Sequence, residues 1–139
     1  MDERTFMREV ASRLHADEDR AQAVAAVVLT ELRDRLTVKE AADVAAQMPQ
    51  DLRRLWNAVD RPASGIRKVR ANEFVGRVRR LAALPDDGEA ERAVRSVFGA
   101  LQRLLGSPTG IEGEAWDVFS VLPGDLKRLW LESARSAES

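Results

Sequence analysis

The chain has 139 residues, enough for one domain or for two very small units that share a core. Hydrophobic residues at 45% and charged residues at 32% fit a folded protein and argue against disorder. With no Cys and a single His (His15), disulfide scaffolds, thiolate or His-rich zinc sites and cysteine nucleophiles are excluded.

In chain order, Phe6, Val10 and Leu14 recur at i, i+4, i+8 and mark a first helix, with Met7 beside them. Asp17 suits the cap of a long second helix whose stripe is Ala21, Val24, Ala25, Val28 and Leu32. Thr37 and Glu40 have the spacing of a capping box, so a third helix starts after Thr37 and turns Ala41, Val44, Ala45 and Met48 inward. Pro49 suits the first turn of a fourth helix with Leu52, Leu55, Trp56 and Val59 as its apolar face. Residues 60–70 contain Pro62, Ser64 and Gly65 and read as a linker.

The same order then returns. Phe74, Val78 and Leu81 begin it and are expected to point into the core, and Pro85-Asp86-Asp87-Gly88 breaks the chain. A long helix follows with Ala93, Val94, Val97, Phe98, Leu101, Leu104 and Leu105, ended by Gly106 and Pro108. Glu114–Val121 reads as the next helix, and Pro123 opens the last. No period-2 segment of any length occurs. The predicted class is all-α: two tandem four-helix repeats packed as one compact helical bundle. The boundaries are 1–59 for the first repeat, 60–70 for a basic linker, 71–134 for the second repeat and 135–139 for a tail.

Identity supports the duplication. Residues 49–56 read PQDLRRLW and residues 123–130 read PGDLKRLW, six matches in eight at an offset of 74. Upstream the offset falls to 68 or 69, where Phe6 meets Phe74, Val10 meets Val78 and Leu32 meets Leu101. The second copy therefore carries about five extra residues around positions 106–110. The segments ELRDRLT and VKEAADVAAQMP, together with the Pro before each short final helix, resemble a bacterial family catalogued as domain of unknown function 2267. The resemblance spans about residues 3–132, except that SPTGIEGEAWDVFSVLP widens the spacing between the second and third helices of the second half. It implies a small all-helical protein of two similar halves and supplies no catalytic residues.

Charge is balanced at −1 overall but unevenly spread. Residues 60–80 carry seven basic and two acidic side chains, a net +5: Arg61, Arg67, Lys68, Arg70, Arg77, Arg79 and Arg80 are the bases. Arginine forks suit carboxylates and phosphates, although codon usage in a GC-rich genome explains an arginine excess as well. Arg77, Arg79 and Arg80 are expected on the solvent side of their helix, near Asp51 or Asp125, so that reversing all three to Glu leaves the fold intact.

Trp56 and Trp130 occupy equivalent positions and are expected to be structural anchors. Trp116 stands where the first copy has Ala42, and either fills space beside the insertion or is an exposed contact. Glu40 with Asp43, and Glu114 with Asp117, recur at i, i+3 and read as helix-start acids rather than a cation site. His15 reads as a surface residue. No residue is assigned a catalytic, cofactor-binding or metal-ligating role, and no cofactor is expected.

The expected function is a non-enzymatic interaction or regulatory module that binds an unknown protein or itself, its apolar stripe on residues 94–105 offering a groove for a partner helix. The alternative is nucleic-acid binding through residues 61–80, which an acidic sequence pI of about 5.9 disfavours. No apolar run approaches the roughly 18 residues that span a bilayer, and MDERTFMREV lacks a signal-peptide core. A cytoplasmic protein without a membrane partner is expected.

Overall fold

The computed structural model describes residues 3–58 and 70–136, so the bases Arg61, Arg67 and Lys68, most of the linker and the end of the tail lie outside the described residues, as does Val59. The helices are α1 (Glu3–Leu14), α2 (Glu18–Arg33), α3 (Val38–Ala46), α4 (Gln50–Trp56), α5 (Ala71–Leu81), α6 (Asp87–Leu104), α7 (Glu114–Val121) and α8 (Gly124–Ser136). No strand occurs among the described residues.

Local chemistry sets the ends of these helices. The Asp17 and Asp86 carboxylates each accept a backbone N–H at 2.8 Å, from Arg20 and Glu89, and so satisfy donors that the first turn leaves open. At α3 the full capping box is present: Glu40 N–H donates to Thr37 Oγ1, and Thr37 N–H donates to the Glu40 carboxylate. Pro49 is the residue before α4 rather than part of its first turn. The chain leaves α1 and α5 by the same device. His15 and Ala83 take left-handed φ values of 52° and 53°, while Ala16 N–H reaches back to Ala11 O and Leu84 N–H to Arg79 O.

Packing follows the duplication. Exchanging the halves maps α1 onto α5, α2 onto α6, α3 onto α7 and α4 onto α8, and it maps the principal helix contacts onto one another. Thus α1 against α6 matches α5 against α2, and α2 against α4 matches α6 against α8. Only α2 against α6 and α3 against α7 are their own counterparts. That pattern is the signature of an approximate two-fold axis running between α2 and α6 and between α3 and α7.

One core results. Trp56 and Trp130 are fully buried, as their place in the repeat predicts. Trp56 Nε1–H donates to Ala41 O at 3.1 Å, and Trp130 Nε1–H donates to Gly110 O at 2.6 Å. Phe98 bridges Phe74 and Trp130, with ring centroids 5.7 and 5.0 Å away. Two expectations change. The stripe on α6 offers no groove, because Val94, Val97, Phe98 and Leu101 are completely covered by the chain's own helices. Leu81 is 59% exposed rather than inward: the inner face of α5 runs through Phe74, Val75 and Val78, with Ala82 following, and leaves Leu81 at its edge.

Candidate functional site

The described arginines of the basic stretch are not one free surface. Arg77 grips Glu31 on α2 with two hydrogen bonds, Nε to Oε2 at 2.8 Å and Nη2 to Oε1 at 3.1 Å, and the Glu31 side chain is only 2% exposed. The Glu31 hydrogen bond and charge, reinforced by Asp34, hold the guanidinium above its ordinary value. Its acid is therefore neither Asp51 nor Asp125. Asp51 pairs with Arg54, and Asp125 accepts the Ala71 N–H at 3.0 Å to cap α5. Arg79 is ion-paired with Asp87 at 2.9 Å. Arg70 and Arg80 are exposed.

The sister interface carries the reverse charges. By the repeat offsets Glu9 corresponds to Arg77, and Arg103 corresponds to Asp34; Glu9 and Arg103 form an ion pair between α1 and α6. Burial lowers the Arg103 and Arg13 guanidinium values. At the end of α2, Glu31 is buried together with Arg33, Asp34 and Arg35, a charged interior that the sequence reading missed. The signal was present in ELRDRL, where acid and base occupy positions too close together for all of them to face water.

The surface formed by the described residues includes two grooves of different size. The larger, about 720 Å³, lies between the end of α1 and the start of α6, with His15 on its rim and Glu9, Arg13, Arg92 and Arg95 in its walls. Its charges largely answer one another: Arg13 faces Glu9 at 3.5 Å, and Arg95 holds Glu91 at 2.8 Å. The smaller, about 290 Å³, has Val75 and Leu129 among acids from α6 and α8. Those acids are occupied as well, Asp87 by Arg79, Asp125 by the α5 cap, and Glu91 and Glu132 by Arg95. Among the described residues no group of His, Asp and Glu is placed to hold a metal ion, and no helix is long and apolar enough to cross a membrane.

The remaining feature is the outer face of α7. Trp116 is 51% exposed. Its ring lies 5.6 Å from that of Phe119, and Lys127 of α8 sets its ammonium 5.5 Å from the Phe119 centroid. α3 and α7 pack together, and the Asp43 and Asp117 charges act on Glu114. Glu40 is the capping acid its spacing predicts, but Glu114 is not at the corresponding place: it is the first residue of α7, after Gly113 with φ 55°. Burial, then the Asp117 hydrogen bond and charge, then the Asp43 charge push the Glu114 carboxyl above the usual range, while Lys39 pulls the other way.

A duplicated all-helical body of two four-helix halves is thus the class of protein that the fold defines. Residues 3–129 match the family of uncharacterized conserved proteins designated DUF2267, and the chain belongs to that family. A search of curated proteins finds no match.

Proposed function

We propose that this protein is a non-enzymatic interaction module of the cytoplasm, and that the outer face of α7 is where its partner docks. One observation carries the reading: the sister position of Trp116 is Ala42, an exposed residue, so α3 takes its place with no large side chain there. The fold therefore has no need of an indole there. A large aromatic left half in water, while Trp56 and Trp130 are wholly buried, is the residue type and setting of an interface anchor. Nucleic-acid binding through residues 61–80 has weaker support, because Arg77 and Arg79 already spend their guanidiniums on Glu31 and Asp87.

Quantitative co-purification from the native cell tests the reading, using the tagged full chain and its Trp116→Ala variant. The wild type should retain a defined protein that the variant loses while keeping a wild-type circular dichroism spectrum. Equal recovery by both would dismiss α7 as the docking face.

A further inference from the structure

The groove between the end of α1 and the start of α6 is independent of the α7 face, and its lining exceeds what the fold requires. Arg13 on α1 and Arg92 and Arg95 on α6 line it, with His15 at the rim. The repeat supplies the comparison. The register of Phe6 with Phe74 sets Arg13 against Leu81 and His15 against Ala83. The register of Asp17 with Asp86 sets Arg92 against Ala23 and Arg95 against Ala26. At all four positions the equivalent crossing of α5 on α2 is built with an apolar residue, so the crossing forms without these bases. The acids of the groove do not answer all of them. Glu9 is shared between Arg13 and Arg103, and Glu91 is held by Arg95. Among the described residues the Arg92 and His15 side chains have no hydrogen bond or ion pair. Two open donors, one from each side, thus face a space of about 720 Å³, the size of a site for a small organic molecule.

We propose that this groove binds a small phosphorylated molecule, whose phosphoryl oxygens are held by the Arg92 guanidinium and the His15 imidazole. A phosphoryl group brings three strong acceptor oxygens and close to two charges, enough for a guanidinium fork and an imidazole N–H together. A carboxylate has only two oxygens, and the fork alone engages both. A long polyanion is disfavoured by the surroundings. Asp17, Glu18 and Asp19 follow His15 directly, Asp86 and Asp87 precede the α6 wall, and all five are exposed. A nucleic-acid backbone leaving the groove would pass acids on either side.

Isothermal titration of the full chain with inorganic pyrophosphate, at about 150 mM salt, tests this. Two variants copy the other half, Arg92→Ala and His15→Ala. Both should keep a wild-type circular dichroism spectrum, since Ala23 and Ala83 fill the sister positions and Ala83 takes the same left-handed φ as His15. The wild type should bind pyrophosphate, and each variant should weaken binding about tenfold. Arg92→Gln, which keeps most of the side-chain stem, should lose as much as Arg92→Ala. Trp116→Ala should bind as the wild type does, which separates this site from the α7 face. No wild-type binding up to about 10 mM pyrophosphate overturns the proposal. So does unchanged affinity in the Arg92 variants or in His15→Ala, or loss of binding in Trp116→Ala. A single-stranded oligonucleotide that binds more tightly than pyrophosphate and depends equally on Arg92 overturns it by making the occupant a nucleic acid.

Discussion

At the scale of single residues, the most consequential contact is Arg77 with Glu31. Glu31 is buried, so removing its cation strands a carboxylate inside the protein, whereas an exposed pair would contribute under about 1 kcal/mol. Breaking a fully buried pair costs roughly 3–5 kcal/mol. Arg77 keeps part of its side chain in water, so Arg77→Glu should cost somewhat less, about 2–4 kcal/mol by urea denaturation. Glu31→Arg in the same chain should recover part of that loss. Reversing Arg77, Arg79 and Arg80 together should accordingly destabilise the fold rather than leave it intact, and the Arg77 change should account for most of the effect. Glu114 behaves in the opposite sense. Its folded carboxyl titrates above its unfolded value, so its ionised form weakens the folded state at neutral pH, and the penalty disappears as pH falls through the raised value. Glu114→Gln should raise the denaturation midpoint at pH 7 and lose that advantage at pH 4, in the ordinary carboxylate range. A midpoint lowered at pH 7 would mean that the carboxylate is satisfied.

At the scale of elements, the inserted loop before α7 shows how the repeat was modified without losing its anchor. Ser107 Oγ accepts the N–H groups of Gly110 and Glu112, and hydrogen bonds from Thr109 (hydroxyl and backbone N–H) and then from Ser107 hold the Glu112 carboxylate below the usual range. The loop thereby presents Gly110 O to Trp130, where the first half uses Ala41 O for Trp56. Gly110 has φ 84°, and a Cβ there would stand 2.9 Å from Gln102 Nε2 and 3.0 Å from Trp130 Nε1. Gly110→Ala should cost about 2–4 kcal/mol from left-handed strain and overpacking together. Trp130→Ala and Trp56→Ala should each cost about 3–5 kcal/mol, and Trp116→Ala under about 1 kcal/mol. Denaturation midpoints of the three variants rank them directly.

Helix starts at Thr37 and Asp17 were legible in the sequence because caps are decided within four residues, whereas Asp86, read only as a chain break, is the cap of α6. The anchoring tryptophans were legible because the repeat placed them twice. Arg77 with Glu31 was not, since the partners are 46 residues apart and meet only through the crossing of α5 on α2. Trp116 was half legible: its mismatch with Ala42 stood in the sequence, but its exposure depends on how α7 sits against α3.

At the scale of the whole molecule, the charge-reversed pairs make the two halves complementary. Glu9, Glu31 and Asp34 lie on the first half, Arg77 and Arg103 on the second, all at the two equivalent interfaces. Two copies of the first half would bring acids together, and two copies of the second would bring bases together, so the pattern selects first half against second. Within that two-fold body the helix faces on the axis differ, alanine on α3 and an aromatic pair on α7. The central claim is that this difference serves a partner rather than the fold. Site-specific photo-crosslinking tests it most directly, with the reactive side chain placed at position 116 in one full-length protein and at position 42 in another, both expressed in the native cell. The account predicts a discrete adduct to one partner from position 116 and none from position 42. Adducts of the same pattern and yield from both positions, or from neither, would contradict it.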